Sequence, residues 1–513
     1  MDDKIIVSNR GALTAKYGKA GLAKIEAAVA ELIAADKGRG IRCRLVYLDN
    51  ALAMKRMKAK AVTVAIDPRQ NKRAVDAVFK ATDPEYLMIL GAPDVVPHQD
   101  LKNLMFQKDD DEDRFGYGDL PYACEGGYSQ DTTKFKGPTR VVGRLPDLRG
   151  AREPSYLLKL LRIASQYRTR DVEDYARYFA MSTQSWREST AMSLFNIFGN
   201  SDAMLLAPPT KPPLAAKKLA ALSHFINCHG GSSDPEFVGE TASRKSQPVA
   251  MTSDSIKKKI KPGTVASIEC CYGAELYDSV TLSLPIPICQ RYLEQGSYGY
   301  FGSSTIAYGP ADSNGAADLI TQYFLAAMLE GASLGRAALM ARQRFIEEVA
   351  ELDPVDLKTL AQFNLLGDPS VHPARVVTAT DTPKSADRED IRRLQRRERR
   401  LKLRVQGRYL EQTKPTAARR EKGVRKSVRV RTALTRIAKR AGIGGKREFV
   451  AYRVNRPAAN RVRDTKAASA ATRYYVALST PRGHRSDTLN FGVAAVAKEV
   501  SGRIVGYRIY TQR

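Results

Sequence analysis

A chain of 513 residues is long enough for about three globular units, and 43% hydrophobic with 8% aromatic residues excludes a disordered or fibrous polymer. The formal net charge of +28 is concentrated: residues 376–513 hold 36 Lys and Arg against 11 Asp and Glu, whereas residues 1–375 hold 47 against 44. A near-neutral body therefore carries a region suited to a polyanion or an acidic protein face. No apolar run reaches the ~20 residues that span a bilayer. The opening MDDKIIVSN lacks the basic and long apolar parts of an export signal, so a soluble, cytoplasmic protein without membrane contact is expected. Six cysteines are too few for a disulfide scaffold in a chain of this length. The adjacent pairs Cys228-His229 and Cys270-Cys271 lack the spacing of zinc ligands, so no metal or organic cofactor is expected.

In chain order, Ile5 to Ser8 reads as a strand, Leu22, Ile25, Val29 and Ile33 recur at helical spacing, and Cys43 to Leu48 reads as a second strand. Val62 to Ile66 is β-like, Ala74 to Phe79 helical, and Tyr86 to Leu90 a continuous apolar strand. After the acidic loop Asp109 to Asp113 come a strand from Arg140 to Val142 and a helix from about Pro154 to Tyr167. A second series of strands is predicted at Tyr178 to Ser182, Ala203 to Leu206, His224 to Cys228, Thr264 to Cys270 and Ser297 to Phe301. Continuous apolar strands alternating with helices predict an α/β fold whose parallel sheet is covered on both faces. The expected units are a supporting α/β subdomain over 1–150 and a catalytic α/β subdomain over 151–375. Residues 376–513 would form a small basic α+β region. Asp387 to Leu403 is a charged helix with too few apolar residues to pack strongly, so it is expected to project or to bind something. Thr432 to Arg440 reads as helix, Tyr474 to Leu478 as strand, and Leu489 to Ala497 with Arg503 to Tyr510 as a hairpin.

The chemistry gathers in HFINCHGG (224–231) and SIECCYG (267–273), two apolar β-runs that each stop at a reactive side chain followed by glycine. Catalytic groups in parallel sheets collect at the carboxyl ends of strands. A thiol with an ordinary pKa near 8.5 needs a base to become a nucleophile at neutral pH. The His229 imidazole can take its proton and later return it to a leaving amine. Gly230, lacking a side chain, lets its N–H approach a substrate, and with the Cys270 N–H it can hold an oxyanion.

These segments resemble the caspase-like cysteine peptidases, a clan that includes gingipains, legumains, clostripain and separase. Their signature, a strand ending His-Gly and a later strand ending Cys-x-x-Gly, is matched by His229-Gly230 and Cys270-Cys271-Tyr272-Gly273. The spacing to Gly273 selects Cys270 as the nucleophile, while Cys271 fits the shorter Cys-x-Gly form of caspases. EYLMILGAPDVVP, GDLPYACEGGYSQD, VVGRLPD, YFGSSTIAYGP and FNLLGDPSVHP, spread over the first 375 residues, make the gingipain branch the most similar. The resemblance implies a caspase-like pair of subdomains and a cysteine endopeptidase acting through an acyl-enzyme on protein substrates. It also implies a carboxylate in the pocket for the residue before the cut, for which Asp119, Asp131 and Glu269 are the candidates. Gingipain export and pro-segments are not matched, which points to an intracellular relative.

His98, His224, His372 and His484 read as structural. SSDPEFVGE after His229 and GPADSNGAAD after Tyr308 have the composition of substrate-rim loops. The basic stretches of 376–513, with Tyr409, Phe449, Tyr452, Tyr474 and Tyr475 nearby, could grip RNA or DNA. They could equally dock an acidic partner protein, or the chain's own loop Asp109 to Asp113, which would make the region an inhibitor. The alternative to an enzyme is a catalytically silent nucleic-acid-binding or scaffolding protein. Hydrolysis and transamidation share the acyl-enzyme and are not separable in the sequence.

Overall fold

A computed structural model of the chain describes residues 2–208, 214–376, 387–444, 448–457, 472–479 and 492–513. Ten strands form its central sheet: β1 (Lys4–Ser8), β2 (Cys43–Tyr47), β3 (Tyr86–Leu90), β4 (Val141–Leu145), β5 (Tyr178–Ser182), β6 (Met204–Leu206), β7 (Ser223–Asn227), β8 (Val265–Ile268), β9 (Gly299–Ser303) and β10 (Phe363–Gly367). Their order across the sheet is β2-β1-β3-β4-β10-β9-β8-β7-β5-β6. The class is α/β, a large and mostly parallel sheet with flanking helices. Strands of 1–150 and of 151–375 lie in one sheet, joined by β10, which runs parallel to β4 and antiparallel to β9. Two parallel blocks therefore meet with opposite polarity, and their carboxyl ends point to opposite edges of the sheet.

The strands follow from their residues. The runs KIIVS, YLMIL and SHFIN are buried throughout, as parallel strands covered on both faces must be. Helix α1 (Arg10–Gly38) turns Leu13, Leu22, Ile25, Val29 and Leu32 onto the sheet, a helical period. Helix α2 (Pro68–Thr82) starts where Asp67 accepts the N–H groups of Arg69 and Gln70 and where proline takes the first helical position. The β-like stretch Val62 to Ile66 is not a strand. Gln70 Oε1 captures the N–H groups of Thr63 and Val64 at 2.7 and 3.2 Å, and the exposed Val64 and Ile66 have no sheet face to bury.

Residues beyond 376 supply five strands of a six-stranded antiparallel sheet, β11 (Thr416–Glu421), β12 (Val450–Asn455), β13 (Thr472–Ser479), β14 (Val493–Val500) and β15 (Arg503–Gln512), in the order β15-β14-β13-β12-β11, with Tyr308–Gly309 of the body beside β15. Alternation divides its two faces. Tyr474, Val476, Leu478 and Tyr510 pack on Met105, Tyr308 and Val355 of the body. Tyr475, Ala477, Ala495 and Ala497 pack under Val430, Leu434 and Ile437 of a helix over Val428–Arg440. The hairpin β14–β15 turns at Ser501-Gly502 as expected. The charged helix Asp387–Thr413 does not project: a Cβ at Gly407 would sit 2.2 Å from the Pro138 carbonyl oxygen, and Arg400 and Arg404 reach Asp83 at 3.1 and 2.5 Å. The glycine and the arginine pairs add to the contact that Leu410 and Leu403 make with the core.

Candidate active site

At the carboxyl edge of the second block, β7 delivers Cys228, His229 and Gly230, and β8 delivers Glu269, Cys270 and Cys271. After leaving the sheet, His229–Gly230 pairs with a ribbon over Glu236–Val238, His229 opposite Val238 and Gly230 opposite Phe237. That ribbon brings Glu240 back to the histidine, with Glu240 Oε1 2.9 Å from His229 Nε2. The Ser185 N–H holds the other carboxylate oxygen at 2.9 Å. An ionised carboxylate can only accept, so Nε2 carries the proton and Nδ1 keeps its lone pair. The Trp186 ring meets the imidazole edge-on at a centroid distance of 4.3 Å. Burial pushes the His229 pKa below its usual 6.5, with the Arg513 cation acting in the same direction and Glu240 opposing. Burial would raise the Glu240 carboxyl, but its hydrogen bonds from His229 and Ser185 hold it below the usual range.

Beyond the end of β8 the chain bends into a turn, and the two adjacent cysteines go to different places. Cys270 Sγ accepts the Cys228 N–H at 3.3 Å and lies in the core cluster that contains Tyr292 and Tyr300. Burial, then the neighbouring Cys228, raise its pKa well above that of a free thiol. Cys271 faces the opposite cluster, where its Sγ accepts the Ala307 N–H at 3.2 Å. Burial pushes this thiol up to about 12 against the nearby Lys358 cation. The Gly230 loop rests directly on the cysteine pair: a Cβ there would be 2.0 Å from the Cys271 carbonyl oxygen. Only glycine permits that approach.

The cleft beside these residues holds the end of β15. Tyr308 and Gly309, just beyond β9, pair antiparallel with Gln512 and Thr511. The Arg513 N–H donates to the Ala307 carbonyl at 3.1 Å, and the Cys271 N–H donates to the Arg513 carbonyl at 3.0 Å. The fully buried Arg513 guanidinium lies 3.2 Å from Glu269 and 2.7 Å from Asp318, donates to the Pro310 carbonyl at 3.0 Å and stacks 4.8 Å over Trp186. A side chain at position 309 would occupy the space of Arg513 Nη2, 2.0 Å away. Burial and the facing Asp318 push the Glu269 carboxyl well up despite Arg513. Burial likewise raises Asp318, with Arg513 opposing. Two carboxylates facing one guanidinium in a dry pocket leave one acid the better proton holder.

Of the three carboxylates considered for a basic-residue pocket, only Glu269 lines this cleft. Asp119 is buried in a fork with Arg144, at 2.9 and 2.5 Å, and contacts His98 Nδ1 at 3.1 Å. Burial alone would raise Asp119, but Arg144 and His98 hold it far below the usual carboxylate range. Asp131 is exposed and accepts the N–H of Thr133 at 3.0 Å, capping a short turn. Both are structural. The acidic loop is partly tied to the body: Asp111 is buried, Asp111 and Asp113 grip the buried Lys358 at 2.6 and 3.0 Å, and Asp113 supports Tyr272 and Ile306, while Asp109 and Glu112 are exposed. Sequence reasoning missed the roles of Glu240, Asp318, Trp186 and Arg513. Glu240 and Asp318 stand in the two loops whose composition marked them as rim segments, but nothing local distinguishes them from turn carboxylates.

Among the described residues no group of three or more His, Cys, Asp or Glu side chains could hold a metal ion, and no helix is long and apolar enough to cross a membrane. No family model matches the chain, and no curated protein matches it. A solved structure described as a protease aligns with 99% of this chain and 97% of its own, at 15% identity and a TM-score of 0.46. The separase–securin complex of Saccharomyces cerevisiae aligns with 45% of this chain and 14% of the matched chain, at 16% identity and a TM-score of 0.28. A second structure of that complex gives 15% identity and 0.26 over the same shares. At these identities and scores the resemblances assign no activity to this chain.

Proposed function

We propose that the chain is a caspase-like cysteine endopeptidase that cuts after a basic residue, with Cys271 as nucleophile, His229 as general base and then acid, and Glu240 as the residue that orients the imidazole. The observation that carries this reading is the seating of Arg513, whose carbonyl oxygen takes the N–H of Cys271 while its guanidinium enters the Glu269–Asp318 pocket. A peptide bond placed like that carbonyl presents its oxygen to a backbone donor and its side chain to two carboxylates. The Cys271 and Gly230 N–H groups form the oxyanion hole in this reading. Cys270, whose spacing to Gly273 fits the family signature, is assigned a packing role because its thiol is turned under the sheet.

In the reaction, Cys271 Sγ leaves the Ala307 N–H and turns toward the substrate carbonyl, giving its proton to His229 Nδ1. Sulfur attacks carbon, the carbonyl electrons move to an oxyanion held by backbone N–H groups, and collapse expels the amine, which takes the proton from His229. Water, deprotonated by the same imidazole, then releases the acid and restores the thiol. An amine in place of water would give transamidation by the same route.

Labelling with a peptidyl-arginine acyloxymethyl ketone tests the assignment in the Arg513→Ala variant, whose pocket is vacant. Label should be lost in Cys271→Ala and His229→Ala and kept in Cys270→Ala. Loss in Cys270→Ala with retention in Cys271→Ala would move the nucleophile to Cys270, and absence of label in every folded variant would remove the peptidase reading. The basic region supports a polyanion or acidic partner as a further ligand. The helix Val428–Arg440 buries Val430, Leu434 and Ile437 and turns Arg429, Arg436, Lys439 and Arg440 to solvent. Retention on heparin or RNA that falls steeply with salt, and falls less steeply when those four are neutralised, tests it.

A further inference from the structure

We infer that residues 510–513 are a pseudosubstrate held in cis, which fills the peptide-binding cleft and keeps the site latent until β15 leaves it. The inference rests on the peptidase reading above. Each residue of the segment is engaged as a bound peptide would be. Its backbone adds an antiparallel strand to Tyr308-Gly309, the mode by which extended peptides bind sheet edges. Thr511 Oγ1 accepts the Trp186 indole N–H at 2.7 Å and donates to the Gly309 carbonyl at 3.1 Å. Gln512 Nε2 donates to the Asp110 carbonyl at 2.9 Å and meets the Tyr308 hydroxyl at 3.1 Å. The Tyr510 hydroxyl meets Asp353 at 3.2 Å.

The fit belongs to a site rather than to incidental packing. Arg513 is 1% exposed although arginine is among the residues least often fully buried. Its Nη2 donates to Asp318 and to the Pro310 carbonyl, the guanidinium also faces Glu269 and the Trp186 ring, and Gly309 leaves the space it occupies. A tethered occupant also competes at an effective concentration in the millimolar range, so a free peptide of similar sequence is excluded. The segment Tyr-Thr-Gln-Arg therefore reports both the block and the sequence the cleft accepts.

The chain has a single tryptophan, and it is Trp186, so indole fluorescence reads the cleft directly. The test compares the full chain with its Arg513→Ala and milder Arg513→Gln variants, each checked for native circular dichroism. One measurement is hydrolysis of acetyl-Tyr-Thr-Gln-Arg-aminomethylcoumarin. The other is binding of the acetyl-Tyr-Thr-Gln-Arg amide in a Cys271→Ala background, followed by Trp186 emission. We expect at least tenfold faster hydrolysis in either variant, with saturable peptide binding that the parent lacks. Equal hydrolysis and equal binding in parent and variants would overturn the pseudosubstrate while leaving the peptidase standing. Binding gained without hydrolysis would instead overturn the peptidase, and with it the inhibitory role, leaving only a peptide-like contact in cis.

Discussion

Arg144 and Arg513, two of the buried arginines that face carboxylates, differ in how they arrive. Arg144 lies on β4, inside the central sheet, and its fork with Asp119 is closed further by the Gly91 and Val96 carbonyls. Arg513 is carried in on the end of β15 and meets Glu269 and Asp318 at the mouth of the second strand block. The first pair cannot separate without opening the core. The second sits at a strand end that meets the body through a two-residue ladder at Tyr308-Gly309, with Thr511 and Tyr510 paired on their other side to Val493 and Ala494 of β14. Burial of a charge pair therefore does not by itself mark a functional site; a removable partner does.

The largest expected effect breaks the first cluster. Arg144→Met leaves Asp119 buried with only His98 beside it, and should cost about 3–5 kcal/mol in urea unfolding, as removal of one partner of a buried pair does. Arg513→Ala should cost much less, because Glu269, already pushed up by burial and by Asp318, can hold a proton in place of the ion pair. Comparable losses for the two variants would erase the distinction between a fixed and a vacatable arginine.

The next effect sharpens the second cluster. In the Arg513→Ala background, Asp318→Asn should lower kcat/KM for arginine peptides by roughly 10–100-fold, the loss of one charge-assisted contact of about 1.5–3 kcal/mol. Peptides with a neutral residue before the cut should change little. An equal fall for both peptides would assign Asp318 to folding rather than to specificity.

What the sequence made legible follows the same division. The strands β1, β3 and β5 are largely apolar runs, and β7 is a short strand that carries Phe225 and Ile226, so their positions could be read from composition and length. The strand-end glycine motifs placed His229 and the Cys270-Cys271 pair in one cleft. Between two adjacent cysteines, however, the choice depends on which of two clusters each enters as the chain turns beyond β8, and motif spacing carries no information about that. Glu240 lies 11 residues after His229, and Asp318, in the first turn of a helix over Ala317–Leu329, 48 residues after Cys270, so only the folded ribbon and that helix bring them in. Arg513 was hidden among 36 basic residues of its region, and composition could not separate the one that enters the Glu269–Asp318 pocket from the others.

Orientation of the imidazole gives a smaller effect. In the Arg513→Ala background, Glu240→Gln keeps a hydrogen-bond acceptor for Nε2 but removes the charge that stabilises an imidazolium, so kcat should fall about tenfold at neutral pH with KM nearly unchanged, at the lower end of what general acid–base catalysis contributes. A rise in KM with kcat unchanged would give Glu240 a binding role.

The smallest expected effect is a displacement on the pH axis, and it has a sign for each partner. His229 must be neutral to accept the thiol proton, so activity falls as pH drops through its folded pKa. Burial and the Arg513 cation lower that pKa, and Glu240 raises it. Removing Arg513 should therefore raise the pKa, and adding Glu240→Gln should move the acid limb of kcat/KM back to lower pH. Linkage gives the same signs in stability. Because the unfolded chain binds the His229 proton near the usual 6.5 and the folded chain binds it less readily, stability conferred by the neutral ring is full above 6.5 and declines as pH falls below it. That decline should be shallower in Arg513→Ala than in the parent. Urea unfolding at pH 5 and pH 7 measures the difference, and a steeper decline in Arg513→Ala would mean that the strand end does not act on the histidine through its charge.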